Sequence, residues 1–216
     1  VAGSAGEVPA GGSAGGGAIS WQNDLFGGAI VDSSACTQPA VFAPALKEAV
    51  EKWKRQQLRG IWLKLLKEQA ALVPCAVDAG FEFHHAEKGY VMMTLWLPAE
   101  ASTLPPNASH QIGVGAFVLN EAGQMLVVQE CKGPLKGRGV WKMPTGLLHA
   151  GEDISEAVER EVLEETGIRA RFEKVLALRH AHGFAFGKSD MFVLCGLRLQ
   201  AGDQHIVIQE DEIEAA

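Results

Sequence analysis

Several common signatures are missing from this chain. Its four cysteines, Cys36, Cys75, Cys131 and Cys195, are scattered with no C-x-x-C pair. That spacing argues against a disulfide framework or a zinc site and for reduced thiols, in the cytoplasm or alternatively in a chloroplast or mitochondrion. The longest strongly apolar runs, such as "IGVGAFVL", are far too short to span a bilayer, so no membrane association is expected. Positive charge is in deficit: 19 Lys and Arg stand against 26 Asp and Glu, for a net charge of −7. A general nucleic-acid binder would carry a basic surface, so no nucleic-acid partner is expected. A small anionic ligand held through a divalent cation stays open. No period of about twenty to fifty residues repeats, which excludes a solenoid.

What is present is ordinary for a globular protein: 216 residues, 47% hydrophobic and 21% charged. That length fits one large domain or two small ones with a proper core. Residues 1–20, "VAGSAGEVPAGGSAGGGAIS", offer so little side chain to bury that they read as a disordered lead-in. A transit-peptide remnant would carry arginines, and none is there. The chain opens without Met and stops at "EIEAA", so it reads as a segment of a longer protein whose last domain is truncated at its C-terminus.

Past that lead-in, "AIVDSSA" reads as strand and turn. "APALKEAVEKWKRQQL" places Leu46, Ala49, Val50 and Trp53 at helical spacing. "GIWLKL" reads as a buried strand, and "KEQAALVPCAVDAG" as a second helix stopped by Gly80. "FEFHH" and "YVMMTLWLP" form an antiparallel pair across "AEKG". Adjacent strand side chains point to opposite faces, so His84 and His85 are not expected to share one ion. "AEASTLPPNAS" is a linker, separating a first domain over 21–105 from a second over 108–216. In the second, "QIGVGAFVLN" and "QMLVVQE" read as a hairpin across "EAG". The loop "CKGPLKGRG" leads to "VWKMPTG" and an acidic helix. "FEKVLALRHAH" and "SDMFVLCGLRLQ" are further strands.

The acidic stretch, "GEDISEAVEREVLEETG", carries the chemistry. Asp153 and Glu156 form a capping arrangement, and Gly167 suits a helix stop. With Ile154 at zero and about 100° per residue, Ala157, Val158 and Val162 fall near 300°, 40° and 80°. Glu161 and Glu165 fall near 340° and 20°, inside that apolar stripe, and Glu164 on its flank near 280°. A merely solvated acidic face would lie opposite the stripe. Partly buried carboxylates need a compensating charge, and Arg160, aimed at Glu156 or Glu164, leaves Glu161 and Glu165 without one. A divalent cation, Mg²⁺ or Mn²⁺, bound together with substrate phosphates, resolves the conflict.

"GLLHAGEDISEAVEREVLEETGI" fits G-x5-E-x7-R-E-U-x-E-E-x-G-U, with U a bulky aliphatic. Gly146, Glu152, Arg160, Glu161, Val162, Glu164, Glu165, Gly167 and Ile168 fill the fixed positions. This resembles the Nudix hydrolase signature. The resemblance implies an α/β (α+β) chain: a small N-terminal α/β domain, then an α/β/α sandwich with a mixed sheet. It implies that Glu161, Glu164 and Glu165 ligate the metal, with the carbonyl of Gly146 as a further ligand. One of the glutamates would serve as base, Arg160 would orient a neighbouring carboxylate, and Glu152 would hold the loop against the helix. The expected reaction is hydrolysis of the pyrophosphate in a nucleoside diphosphate derivative, a small nucleotide substrate.

The flanks "GFEFHHAEKGYVMMTLWLP", "NASHQIGVGAFVLNEAGQMLVVQE", "VWKMPTG" and "FGKSDMFVLC" resemble the plant subgroup with an extra N-terminal domain. Its animal relative is the protein encoded antisense to fibroblast growth factor 2. The subgroup implies ADP-ribose and NADH as substrates, and homodimers are frequent in the family. The S-Q-P-W-P-F-P motif of other NADH pyrophosphatases is absent, and His182 and Gly183 stand where many ADP-ribose enzymes carry Pro. For substrate contacts the candidates are Arg179 and the Phe184, Phe186 and Lys188 cluster, with core packing the alternative for the rings. Lys132, Lys136 and Arg138 either reach phosphate or solvate a loop. Glu210 and Glu212 are candidates for an additional acid. The competing reading is a nucleotide-sensing module of the same fold without turnover.

Overall fold

Along Gly60–Leu66 (β4), Ile61, Leu63 and Leu65 are buried while Lys64 and Leu66 are exposed. This is the period-two pattern of a strand with one face on a core. The computed structural model describes residues 11–183, 185–202 and 205–216. The chain is a mixed α/β protein that divides after Asn107 into two compact units.

The first unit is a six-stranded sheet in the order β1-β2-β3-β4-β6-β5. Its other strands are β1 (Gly12–Ala14), β2 (Ile19–Asn23), β3 (Ala29–Asp32), β5 (Glu82–Glu87) and β6 (Tyr90–Trp96). Helix α1 (Pro39–Arg55) buries Phe42, Ala45, Leu46, Ala49, Val50 and Trp53. Full burial of a side chain such as Phe42 or Leu46 contributes about 2 kcal/mol. The Trp53 ring meets Trp21 edge-on, with centroids 5.4 Å apart. The helix starts at Pro39, earlier than its apolar spacing indicates, because proline suits the first turn. It ends in a Schellman-type turn, with Gln57 at φ +57 and the Leu58 amide donating to Trp53 O.

Three expectations for this unit need correction. Residues 11–20 are not a disordered lead-in: β1 pairs antiparallel with β2, Gly12 opposite Trp21 and Ala14 opposite Ile19. Here the missing side chains allow close packing. A Cβ on Gly15, at φ +60, would fall 2.3 Å from Ala45 Cβ. Residues 1–10 of that lead-in lie outside the described residues. The helix expected at 67–80 is a 3-10 segment, Lys67–Leu72, followed by α2 (Val73–Asp78). Pro74 has no N–H to continue one ladder through both. His84 and His85 do not point apart, because a register shift between Phe83 and His85 brings their Nδ1 atoms to 2.7 Å. The bulge re-aims a side chain that strict alternation would send to the other face.

The second unit has a four-stranded mixed sheet, β10-β11-β7-β9, in which β11 runs parallel to β7 and the other pairings are antiparallel. The strands are β7 (His110–Leu119), β9 (Thr145–Leu147), β10 (Ala170–Ala181) and β11 (Ser189–Leu199). Helix α3 (Ile154–Thr166) lays Ala157, Val158 and Val162 on Val114, Ala116, Val118, Val193 and Cys195. The hairpin expected after β7 closes at Asn120–Gln124 and pairs Leu119 with Met125, but its second arm then leaves β7. Val128 pairs with Lys142, and β8 (Gln129–Glu130) pairs with β12 (Ile213–Ala215). Those distant partners claim the backbone groups that a hairpin would have used. All four cysteines are free.

Candidate active site

Helix α3 begins where the Asp153 amide donates to Glu156 at 3.2 Å and ends where the Gly167 amide donates to Leu163 O. Gly167, at φ +70, takes the left-handed turn. This fixes the helix in register, and its sheet-facing stripe carries Glu161 and Glu165 beside the buried Val158 and Val162.

Arg160 organises the first group of acids. Its Nε and Nη2 donate to the two oxygens of Glu152 at 2.7 and 2.9 Å, a fork-to-carboxylate pair. Its Nη1 donates to Glu161 at 2.7 Å and to Glu164 at 3.1 Å, and Nη2 also reaches Leu147 O at 3.2 Å. The expectation that Arg160 leaves Glu161 uncompensated is therefore incorrect. The guanidinium folds back along the helix and spans the next residue as well as the one a turn later. Glu152 also accepts the His149 amide at 2.9 Å, which ties the preceding loop to α3. Arg160 and the His149 amide hold the Glu152 carboxyl down at about 2, and the three carboxylates push the guanidinium up.

Glu165 is different. It is 4% exposed, and Arg160 does not reach it. Burial pushes its carboxyl up to about 7, against the pull of the Lys142 ammonium and the Thr145 amide; Glu161 and Glu130 push the same way as burial. Its Oε2 is buried with no hydrogen-bond partner among the described residues. Lys142 sits 2.6 Å from Glu130 and 2.6 Å from Thr145 Oγ1. Beside them a cavity of about 310 Å³ is lined by Glu130, Lys132, Thr145, Glu165 and Glu212.

Gly146 completes the arrangement. A Cβ there would fall 1.9 Å from Glu161 Cδ, so the glycine leaves room for a carboxylate against the strand backbone. A buried orphan carboxylate oxygen and a carboxylate seated on a glycine fit a hard divalent cation. Among the described residues no three acidic, His or Cys groups converge to enclose an ion unaided. A cation here would therefore draw on the Gly146 carbonyl, water and ligand phosphate as well, the usual habit of Mg²⁺.

Glu152, Arg160, Glu161, Glu164 and Gly146 thus form one connected group, with Glu165 beside it on the same helix. Of the expected substrate contacts, Arg179 and Lys188 have partners of their own. Arg179 pairs with the buried Asp190 at 3.1 Å and lies over the Phe192 ring at 5.3 Å. Lys188 donates to the carbonyl of Ala108. Phe186 is 98% exposed, and Phe184 lies outside the described residues. Lys132 lines the cavity beside Glu165, as does Glu212, the candidate additional acid. Lys142 and Glu130 do not stand out in the sequence. The hint was a lysine amid the apolar residues of "VWKMPTG", and nothing local ties it to Glu130 or Glu165.

Residues 19–97 match the family described as Nudix hydrolase domain, and residues 109–216 match the NUDIX domain. Nudix hydrolase 8 of Arabidopsis thaliana is 49% identical over 90% of this chain and 53% of its own length. Nudix hydrolase 2 of the same plant is 45% identical over 89% of this chain and 69% of its own. The human protein Nucleoside diphosphate-linked moiety X motif 6 is 39% identical over 81% of this chain and 57% of its own. The chain spans between about half and two thirds of the length of these relatives. With both of its units matched and identity sustained across them, the chain belongs to the Nudix hydrolase family.

Proposed function

We propose that this protein hydrolyses the pyrophosphate bond of nucleoside diphosphate derivatives, with ADP-ribose and NADH as substrates. The products are AMP with ribose 5-phosphate, or AMP with reduced nicotinamide mononucleotide. The observation that carries this reading is Glu165: a buried carboxylate with an unpartnered oxygen, one helical turn from a carboxylate seated on Gly146. The name of the human relative supports the substrate class.

Glu161, Glu164, Glu165 and the Gly146 carbonyl would hold Mg²⁺ or Mn²⁺. When bound, the cation supplies neutralisation of the phosphate oxygens and a lowered pKa for a water. Arg160 fixes Glu161 and Glu164 by direct hydrogen bonds and is itself anchored on Glu152. Pinning these side chains in advance removes the entropy cost of assembling them at each turnover. One of the three acids takes the proton of the attacking water. Lys132, on the cavity wall beside Glu165, offers a positive charge to a phosphate.

The test is phosphate-ended product release from ADP-ribose, NADH, CoA and diadenosine polyphosphates, with Mg²⁺ and with Mn²⁺. Wild type should turn over ADP-ribose and NADH, and Glu164→Gln and Glu165→Gln should lose that turnover. Variants that work unchanged on every substrate would overturn the reading of the acidic helix. Turnover confined to CoA or diadenosine polyphosphates would overturn the substrate assignment.

A further inference from the structure

The first unit's sheet carries two imidazoles where strict alternation would leave one. The bulge in β5 sets His84 Nδ1 and His85 Nδ1 2.7 Å apart, both rings half-buried. His84 Nε2 lies 2.9 Å from the carbonyl oxygen of Pro105. A carbonyl can only accept, so the neutral His84 ring carries its proton on Nε2 and presents a lone pair on Nδ1. His85 Nε2 lies 3.3 Å from the Tyr90 hydroxyl, a group that can donate or accept. His85 therefore has two neutral forms. With its proton on Nδ1 it donates to His84; with its proton on Nε2 it donates to Tyr90, and both Nδ1 atoms then carry a lone pair.

We propose that His84 and His85 form a two-nitrogen site for a late first-row divalent cation of tetragonal preference, Cu²⁺ or Ni²⁺, separate from the acidic helix. Metal–imidazole bonds of about 2.0–2.1 Å at a right angle place the two nitrogens roughly 2.9 Å apart, and a tetrahedral angle places them roughly 3.4 Å apart. The observed separation is nearer the first. Both donors are nitrogen, which disfavours Mg²⁺ and Ca²⁺. The rings are also held in advance: Trp62 packs edge-on to His84 at 4.9 Å, and Tyr90 edge-on to His85 at 5.7 Å. The Pro105 carbonyl and the Tyr90 hydroxyl supply the outer hydrogen bonds that metal-binding imidazoles use to fix orientation and tautomer.

Among the described residues no third His, Cys, Asp or Glu completes the set, so water or an added ligand takes the remaining positions. On the His84 side lies a cleft of about 460 Å³, lined also by Glu82, Thr94, Ser102 and Asn107. Binding moves the His85 proton from Nδ1 to Nε2, where Tyr90 accepts it. Both rings stay neutral, no proton is released overall, and no electron is transferred. A second close pair, His110 and His180, has Nε2 atoms 2.8 Å apart. Its partner group at His110 Nδ1 is the Ser109 hydroxyl, which does not fix a tautomer, and both rings are exposed.

The test is electron paramagnetic resonance of the whole chain, free of substrate, with one equivalent of Cu²⁺. Wild type should show superhyperfine coupling from two nitrogens. His84→Gln, whose amide can still donate to Pro105, and His85→Gln should each lose the two-nitrogen signature and bind Cu²⁺ at least tenfold more weakly. A double His110→Ala, His180→Ala variant should keep both. Oxygen-only coordination in wild type would overturn the proposal. So would a two-nitrogen signal that survives in the folded His84→Gln and His85→Gln chains or disappears with the other pair. The wild-type spectrum decides even where a variant fails to fold, and because no turnover is read, hydrolysis can fail independently.

Discussion

Gly146 and Glu161 are in contact, glycine backbone against carboxylate, with room for nothing between them: a Cβ added to Gly146 would lie 1.9 Å from Glu161 Cδ. The clash is with the far end of a flexible side chain, so alanine there displaces the carboxylate rather than the fold. Gly146→Ala should lower kcat/KM about 100-fold, the cost of a misplaced catalytic group, with Tm nearly unchanged. Steady-state kinetics beside a thermal melt checks it; a large drop in Tm would mean that the glycine serves folding.

Glu165 makes the stability of the metal-free chain depend on pH in a stated direction. Its folded carboxyl sits at about 7, against an ordinary value of 4.5, so between those values the folded state holds a proton that the unfolded state gives up. Stability should therefore fall as pH rises from about 4.5 to about 7 and level off above, and Glu165→Gln should remove that contribution. Cation binding requires the ionised form, so the stabilisation given by Mg²⁺ should grow over the same range. Melts of both proteins across this range, with and without Mg²⁺, read the effect.

Arg160→Lys keeps the charge and loses the fork. One ammonium cannot reproduce the paired bonds to Glu152 together with those to Glu161, Glu164 and Leu147. Turnover should fall at least tenfold, with Tm lower by a few degrees. Near-wild-type turnover would show that Glu161 and Glu164 hold their positions without the guanidinium.

Lys142→Met removes the cation that opposes burial at Glu165 and leaves Glu130 unpaired. The Glu165 carboxyl should rise above about 7, so that Mg²⁺ binds more weakly near neutrality and regains affinity as pH is raised. Calorimetric titration at two pH values distinguishes this from a uniform loss of affinity, which would assign Lys142 a packing role.

The glycine-rich entry to the first unit is a structural element and should behave as one. Gly15→Ala adds a Cβ at φ +60, 2.3 Å from Ala45 Cβ, and should cost about 2 kcal/mol or more in denaturant unfolding. Amide exchange should show β1, Gly12–Ala14, protected where it pairs with β2. Rapid exchange there would contradict the pairing of β1 with β2.

The residues of α3 were legible because the relevant spacing is local. A helix repeats every 3.6 residues, so a list of residue types places Glu161 and Glu165 in the stripe with Val158 and Val162. Its caps were readable for the same reason. Short apolar runs likewise marked β4, β6, β10 and β11. Composition misled at residues 11–20, where glycine counts as a loss of order until a Trp21 and an Ala45 stand close enough to need it. Alternation misled at His84, because a bulge depends on how β5 pairs with β6 and not on β5 alone.

The sequence by itself determined the family and the inward face of the acidic helix, since both depend on residue types at short, regular intervals. Tertiary structure decided that Arg160 spans Glu152, Glu161 and Glu164, that Lys142 and Glu130 stand beside Glu165, and that Gly146 receives a carboxylate. It also decided that two imidazoles meet in the first sheet. The first three join a loop, strand or helix to a partner outside its own turn, and the imidazole pair depends on the register of β5 against β6; no period along the chain encodes either.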